Sequence, residues 1–362
     1  MSVQASTLEL QPPFAATNAW RSRMLAVILM VAIAGIFWVD SRYPALLKRY
    51  HAGTQVKASG ALTFGTVYSV DRTMPLSIRV WRTTVNWLDA NRIGMTFSFL
   101  FGPAALTFLA TLRRRRTNSI YLNTLFGAAA GMPLAVCTNC VAPIARGFYA
   151  SGMSTESVLA AMFASPALNV VVLAMTFALF PVPIALLKLA TVLLLIFVFA
   201  PAVASRQANS AAFVCPIEIP VSETWRQALV STIGSFLKSF WYVFRVAFPL
   251  MILAAILGAL VIELLPAQAL IAQATIGGII LVAPVGAFLP VPMAFDVAIA
   301  YIAMTKGVPL PYVVTILCTL GIVSVFSLSV VGKTISWRIA AGAYATVAAL
   351  GASAGLLTRT LF

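Results

Sequence analysis

The sequence predicts an all-α polytopic membrane protein, with about 8–10 transmembrane helices in two related halves, each carrying a segment broken by proline and glycine. Three observations lead there. Of 362 residues, 61 % are hydrophobic and only 9 % charged, more apolar side chain than one water-soluble core can hide, and several runs reach the roughly 20 residues that span hydrocarbon. The Lys and Arg that give a net charge of +15 stand mostly between those runs, where they meet anionic headgroups and set orientation, so the partner is the lipid bilayer and not nucleic acid. Finally, the stretch "GMPLAVCTNCVAPIARGFYASGMS", residues 131–154, starts within an apolar run yet holds two prolines, three glycines, an arginine and two cysteines. A helix that only sits in lipid has no use for them.

Residues 1–19 are polar and read as a disordered N-terminus. The apolar run from about Trp20 to Val39 ends in "DSRYP" without a small-residue cleavage site, which marks a retained span and not a cleaved signal. With the polar loop behind it, this span makes a leading segment, 20–92. Within the loop, "LSIRVWRTTVNWLDANR" sets Ile78, Trp81, Val85 and Leu88 on one helical face and Arg79, Arg82, Asn86 and Asp89 elsewhere. That pattern suits a helix lying in the membrane interface, or an amphipathic helix packed on the protein.

A first transmembrane half, 93–203, holds spans at about 93–112, 120–136, 157–180 and 182–203, with a short broken piece near 140–152. The first of these stops at Arg113–Arg116, four adjacent guanidinium groups that resist translocation. That end is expected in the cytoplasm, and the N-terminus with it, in an integral protein of the bacterial inner membrane. Eight Lys and Arg between Ser41 and Arg92 pull the other way. A polar linker, 204–226, separates the second half, 227–362, with spans at about 240–264, 267–284, 310–331 and 338–357 and a broken piece near 288–306. The approach to it stripes Trp225, Leu229, Ile233, Leu237 and Phe240 along one side.

Laying residues 131–154 over 286–309 matches Gly131 to Gly286, Val136 to Val291, Ile144 to Ile299, Ala145 to Ala300 and Gly152 to Gly307. The identities are few, but the order of features agrees: a proline-rich break after a span, a short apolar piece, a glycine turn, then a long span with a breaker inside it. An internal repeat of inverted orientation is the expectation, since transporters built this way bind substrate where their broken helices meet.

Unwound backbone at membrane depth survives only where protein or a water-filled cavity satisfies its N–H and C=O groups, so the breaks should line a pathway. Polar groups in or near them are Cys137, Asn139 and Cys140 beside Pro143, then Arg146, Asn169 and, in the second half, Asp296. Ionisable groups at such depth default to function. Structural alternatives stand beside each: Arg146 reaching a headgroup, Asp296 bridged to Arg146 or Lys306, Asn169 capping a backbone gap. Asp296 is the candidate for ion coupling, with Glu156, an early helical residue suited to the helix dipole, behind it. Four cysteines are too few for a disulfide framework. Cys137 and Cys140 can chelate one soft atom, and thiolates select Cu(I), Zn(II) or trivalent arsenic over hard cations. Without a second pair this is not a structural zinc site; two thiols suit a guest that takes two bonds and then leaves. Cys318 is a third thiol if the halves meet, or a packed core residue. Cys215 and His51, in polar loops, are assigned nothing. The same spacing also serves thiol–disulfide exchange.

The stretch "PLAVCTNCVAPIARGFYASGMSTESVLAAMFASPALNVVVL" resembles the signature of the predicted-permease family that includes ArsP and YraQ, at Pro133, Leu134, Cys137, Pro143, Gly152, Pro166 and Asn169. The resemblance implies a permease of two related halves and, for ArsP members, export of trivalent organoarsenicals through membrane cysteines, which places Cys137 and Cys140 as the substrate thiols. Those members carry Cys-x-Cys where this chain has Cys-x-x-Cys, so the second sulfur is displaced by one residue. No "GxxxxGK[ST]" loop is present, so transport draws on an ion gradient or a partner ATPase. The expectation is a permease and not an enzyme, without a cofactor, exporting a small thiol-reactive solute or soft metal by alternating access, with a homo-oligomer as one arrangement. Cys137 and Cys140 bind the substrate, Asn139, Pro143, Asn169 and Arg146 surround it, and Asp296 exchanges protons. A transmembrane thiol–disulfide oxidoreductase and a membrane anchor subunit are the alternatives.

Overall fold

The computed structural model describes residues 20–44, 47, 67–71, 73–111, 119–206, 224–264 and 275–361. The N-terminal 19 residues, Arg113–Arg116, most of the 204–226 linker, His51 and Cys215 lie outside them. Among the described residues the secondary structure is helical, with no strand. The helices are α1 Trp20–Phe37, α2 Leu76–Ala110, α3 Ile120–Gly131, α4 Thr138–Ala150, α5 Thr155–Ala167, α6 Val170–Leu179, α7 Val182–Leu194, α8 Trp225–Leu264, α9 Ile276–Phe288, α10 Phe295–Thr305, α11 Leu310–Thr319, α12 Val325–Thr334 and α13 Trp337–Leu361. A π turn, Trp38–Arg42, extends α1, and another, Leu195–Phe199, carries α7 on into Ala200–Ser205.

Five of these rods are long and apolar enough to cross a membrane: α1 with its π turn, α2, α7 with its extension, α8 and α13. The pair α5 and α6, bent by 46° at the break, is together long and apolar enough to make a sixth, broken span or a re-entrant loop. Several of the spans expected from hydropathy are shorter or broken helices. Helix α3 has 12 residues and α9 has 13, about 20 Å at 1.5 Å per residue, against a hydrocarbon core of about 30 Å. The run expected to cross at 310–331 is two ten-residue helices, α11 and α12, with an unwound stretch between them. Hydropathy counts apolar residues and does not see where proline, or a cap such as Ser324, stops a helix. The interfacial helix expected at 76–92 is also not a separate element. It is the first half of the 35-residue α2, where Thr84, Trp87 and Asn91 are buried against the rest of the protein.

Two runs of elements follow the same order: a long helix (α2, α8), a short one (α3, α9), a break, a second short helix (α4, α10), a left-handed glycine (Gly152 at φ 81°, Gly307 at φ 79°), a bent or split pair (α5–α6, α11–α12) and a long closing helix (α7, α13). The two opening rods lie antiparallel: Arg79 near the start of α2 pairs with Glu263 at the end of α8 at 2.7 Å, while Thr107 near the end of α2 is 3.1 Å from Ser239 of α8. Within a bilayer, apolar burial does not drive helices together, and small residues that allow close approach do. α3 shows this, with Gly127 and Gly131 set directly on the backbone of Ser157 and Ala161 in α5. So does α8, whose Ala228, Thr232, Ser235 and Ser239 face inward while Trp225, Leu229, Ile233 and Leu237 are exposed. The largest apolar cluster joins both runs, from Phe99, Val136 and Ile144 to Ala247, Ala287 and Phe326.

Candidate functional site

Helix α3 ends in a single 3-10 turn, Met132–Leu134, and Ala135 takes a left-handed conformation at φ 46°. The chain then restarts as α4 with Cys137 at the N-cap, its sulfur accepting the backbone N–H of Cys140 at 3.1 Å. The unwound backbone is satisfied by protein, as membrane depth requires: Ser165 of α5 meets the N–H and the C=O of Val136, both at 3.4 Å. Further on, Pro143 inside α4 lacks an N–H, which leaves the Asn139 carbonyl without its helical donor.

Cys137 and Cys140 are 3 % and 2 % exposed, and both are free thiols. They face the middle of α2. The Cys137 thiol donates to Asn91 Oδ1 at 3.5 Å, and Asn91 is oriented by its own bond to the Trp87 carbonyl at 2.8 Å. A Cβ on Gly94 would lie 2.7 Å from the Cys140 sulfur, and Ser98 donates to the Cys140 carbonyl. Glycine and serine one turn apart thus make room for the second sulfur and hold its backbone. From α1 comes a positive charge. Trp38 donates to the Pro133 carbonyl at 2.9 Å and seats the π turn on the break; from that turn the Arg42 guanidinium lies 4.4 Å from the centre of the Phe37 ring and within electrostatic reach of both sulfurs. Arg42 Nε is buried without a hydrogen-bond partner among the described residues. Outside this layer, Trp38, Met132, Pro133, Leu168, Val170 and Phe177 line an apolar cavity of about 770 Å³.

The first turn of α4 also reaches the second run. Thr138 donates to the Gly321 carbonyl, Asn139 Nδ2 donates to the Val291 carbonyl at 3.1 Å, and Ser324 donates to Asn139 Oδ1 at 2.7 Å. Trp87 adds a bond to the Pro290 carbonyl at 2.6 Å. The break before α4 is therefore fastened to the break before α10 and to the one between α11 and α12. Asp296, in the first turn of α10 where the helix dipole favours a carboxylate, stands on the far side of Gly321 and pairs with Lys188 of α7.

Of the residues singled out in the sequence, the structure gathers Cys137, Asn139 and Cys140 in one place, with Pro143 one turn further along α4. Asp296 is one residue removed, across Gly321. Its partner is Lys188, not Arg146 or Lys306. Arg146 is elsewhere: nine residues past Cys137, about 13 Å along α4, it lies 4.3 Å from the centre of the Tyr242 ring and donates to Thr334 at 3.0 Å. Asn169 is the cap of α6, accepting from the N–H groups of Val171 and Val172 at 3.1 and 3.0 Å and donating to the Ser165 and Pro166 carbonyls. Its hydrogen-bonding groups are turned to the backbone, which is the capping alternative. Glu156 accepts from Asn123 at 2.9 Å. Cys318 packs in a separate apolar cluster with Val172, Phe180 and Leu317, and among the described residues no three His, Cys, Asp or Glu side chains come together.

Sequence reasoning passed over Arg42, Asn91, Ser98, Lys188 and Ser324. For Lys188 a signal existed, because it is the one charged residue in the run 182–205, and an ionisable group inside a span is a functional candidate by default. Asn91 and Ser98 carried no signal, since only the packing of α2 on α4 shows which of its polar residues meet the thiols. No curated protein and no solved structure matches the chain. A family model described as a predicted permease, of the ArsP type, matches residues 93–360, about three quarters of the length. That span takes in both breaks, the thiol pair and the Lys188–Asp296 pair, and the chain belongs to the ArsP family of predicted membrane permeases.

Proposed function

We propose that this permease exports a small thiol-reactive solute or a soft metal, with trivalent organoarsenicals as the substrate class the family suggests, and that Cys137 and Cys140 are the groups that take it. The observation that carries this is the placement of two buried thiols on the first turn of a short helix whose neighbours Thr138 and Asn139 are bonded to both breaks of the second run. A guest bound by the sulfurs touches a turn that is hydrogen-bonded directly to the second run. Two sulfurs three residues apart form two bonds to a single soft atom and discriminate by chemistry against hard cations, while Asn91 and Arg42 supply a polar and a charged group beside them.

The matching order of elements and the antiparallel α2 and α8 support an inverted internal repeat, and with it alternating access, the two runs rocking around the site. Asp296 is the ion-coupling carboxylate in this reading, and the protein sits in the bacterial inner membrane with its N-terminus in the cytoplasm. A second reading draws on the N-cap position of Cys137 with Cys140 three residues on, an arrangement that also suits disulfide exchange.

The test is uptake into everted membrane vesicles of phenylarsonous acid and, in parallel, of Cu(I), by the wild type and by the Cys137→Ser, Cys140→Ser double variant. Uptake of either by the wild type that vanishes in the variant is expected. Absence of uptake of both by a folded wild type overturns the soft-ligand reading, and a reversible Cys137–Cys140 disulfide cycling during turnover moves the function to the redox class.

A further inference from the structure

Lys188 and Asp296 form the most deeply buried ion pair among the described residues, with side chains 4 % and 8 % exposed. Lys188 belongs to α7, the closing helix of the first run, and Asp296 to the first turn of α10, just after a break of the second. The Asp296 side chain lies beside Gly321 in space that only a glycine leaves free: a Cβ there would meet Asp296 Cβ at 3.1 Å and Cγ at 3.2 Å. Gly321 is held at φ 79°, a left-handed conformation that favours glycine, and its carbonyl accepts the hydroxyl of Thr138, the residue after Cys137. Three residues further on, Ser324 caps α12 and donates to Asn139, the residue before Cys140. One glycine thus separates the ion pair from the turn that carries both thiols.

We propose that Lys188, through its pair with Asp296, is the element that couples a proton to the thiol site, with Gly321 as the hinge that transmits it. This rests on the reading of Cys137 and Cys140 as the substrate thiols. A proton from the aqueous phase on one side binds the Asp296 carboxylate and later leaves to the other side; no bond to the substrate forms or breaks in that step and nothing is oxidised. Protonation removes the attraction to Lys188, Asp296 is free to change rotamer, and the side chain packed beside Gly321 moves, which gives that glycine room to change conformation. The Thr138 and Ser324 hydrogen bonds carry the change to the first turn of α4. The elements around Asp296 hold few other titratable groups: Cys318 and Tyr312 on α11, Tyr301 further along α10, none on α6, and Lys188 alone on α7. Cys318 lies beside Lys188 and Thr191.

A structural brace and a coupling pair behave differently when both charges are removed. Replacing both partners of a buried pair by apolar residues of similar volume is tolerated by a brace, whereas removing one leaves an uncompensated charge. The decisive protein is therefore Lys188→Met with Asp296→Leu, compared with wild type and with Asp296→Asn, all as the full chain in vesicles and carrying Cys215→Ser and Cys318→Ser. Two readings are taken at one fixed pH: the rate at which N-ethylmaleimide modifies Cys137 and Cys140, and the response of phenylarsonous acid uptake to an imposed pH gradient. The coupling pair predicts that the folded double variant changes the modification rate by about fivefold or more and that its uptake ignores the gradient. Wild-type modification rates together with gradient-driven uptake in the double variant overturn the proposal. Where the wild type itself moves no arsenical, the modification rate still decides, which keeps the failure of the substrate reading apart from the failure of the coupling.

Discussion

At the scale of single residues, the thiol pair stood out in the sequence because two cysteines inside an apolar run have little other reason to be there. Its surroundings did not, because Asn91 and Gly94 become part of the site only when α2 is laid against α4. That packing makes a sharp test. The position a Cβ would take at residue 94 is 2.7 Å from the Cys140 sulfur, so Gly94→Ala must displace the sulfur, and a large drop in organoarsenical uptake with little change in thermal stability is expected. Uptake at the wild-type rate would place the bound guest away from Cys140. Asn169 makes the opposite prediction. Its side chain is bonded to the backbone, and Asn169→Ala removes a helix cap worth about 1 kcal/mol. A lowered melting temperature in detergent with substrate affinity intact is the expected outcome, and weakened affinity at unchanged stability would return Asn169 to the site.

At the scale of elements, membership in the all-α membrane class follows from composition, while the lengths of the helices do not. The run 310–331 reads as one long span with a breaker inside it, but hydropathy does not show that a left-handed glycine at 321 followed by a serine cap at 324 ends one helix and starts another. The same limitation hid which face of α8 turns inward. Its large apolar stripe was legible without its direction; in a lipid solvent the large side chains look outward and the small ones meet their neighbours. The α3–α5 contact depends on this. Gly127→Val drives a side chain into the backbone of Ser157, whereas Gly277→Val on α9 enters open space. A lower folded yield and melting temperature for the first, with neither changed for the second, is expected from fluorescence-detected size exclusion; equal behaviour would mean that α3 and α5 are not in such close contact.

At the scale of the whole molecule, the order of breaks and turns was legible in the sequence, but the fastening of the two runs of elements was not, because Thr138 to Gly321 and Asn139 to Ser324 join residues about 185 positions apart. The proposed orientation draws on the arginine cluster: replacing Arg113–Arg116 by Gln is expected to yield a mixture of topologies, read by the accessibility of a reporter on the C-terminus, and a single unchanged orientation would assign control to the loop before α2. The length of α2 has its own consequence. Thirty-five residues make a rod of about 52 Å, and even at a tilt of about 40° it rises about 40 Å, more than the hydrocarbon it crosses. Its charged first turns, tied to α8 by Arg79 and Glu263, therefore reach past the hydrocarbon into the headgroup region while its second half holds Ser98 against the thiol turn. Under the proposed function, an antibody fragment that grips this end of α2 takes hold of the same rod that packs on the thiol turn, and inhibition of the permease would not require a molecule small enough to enter its pathway.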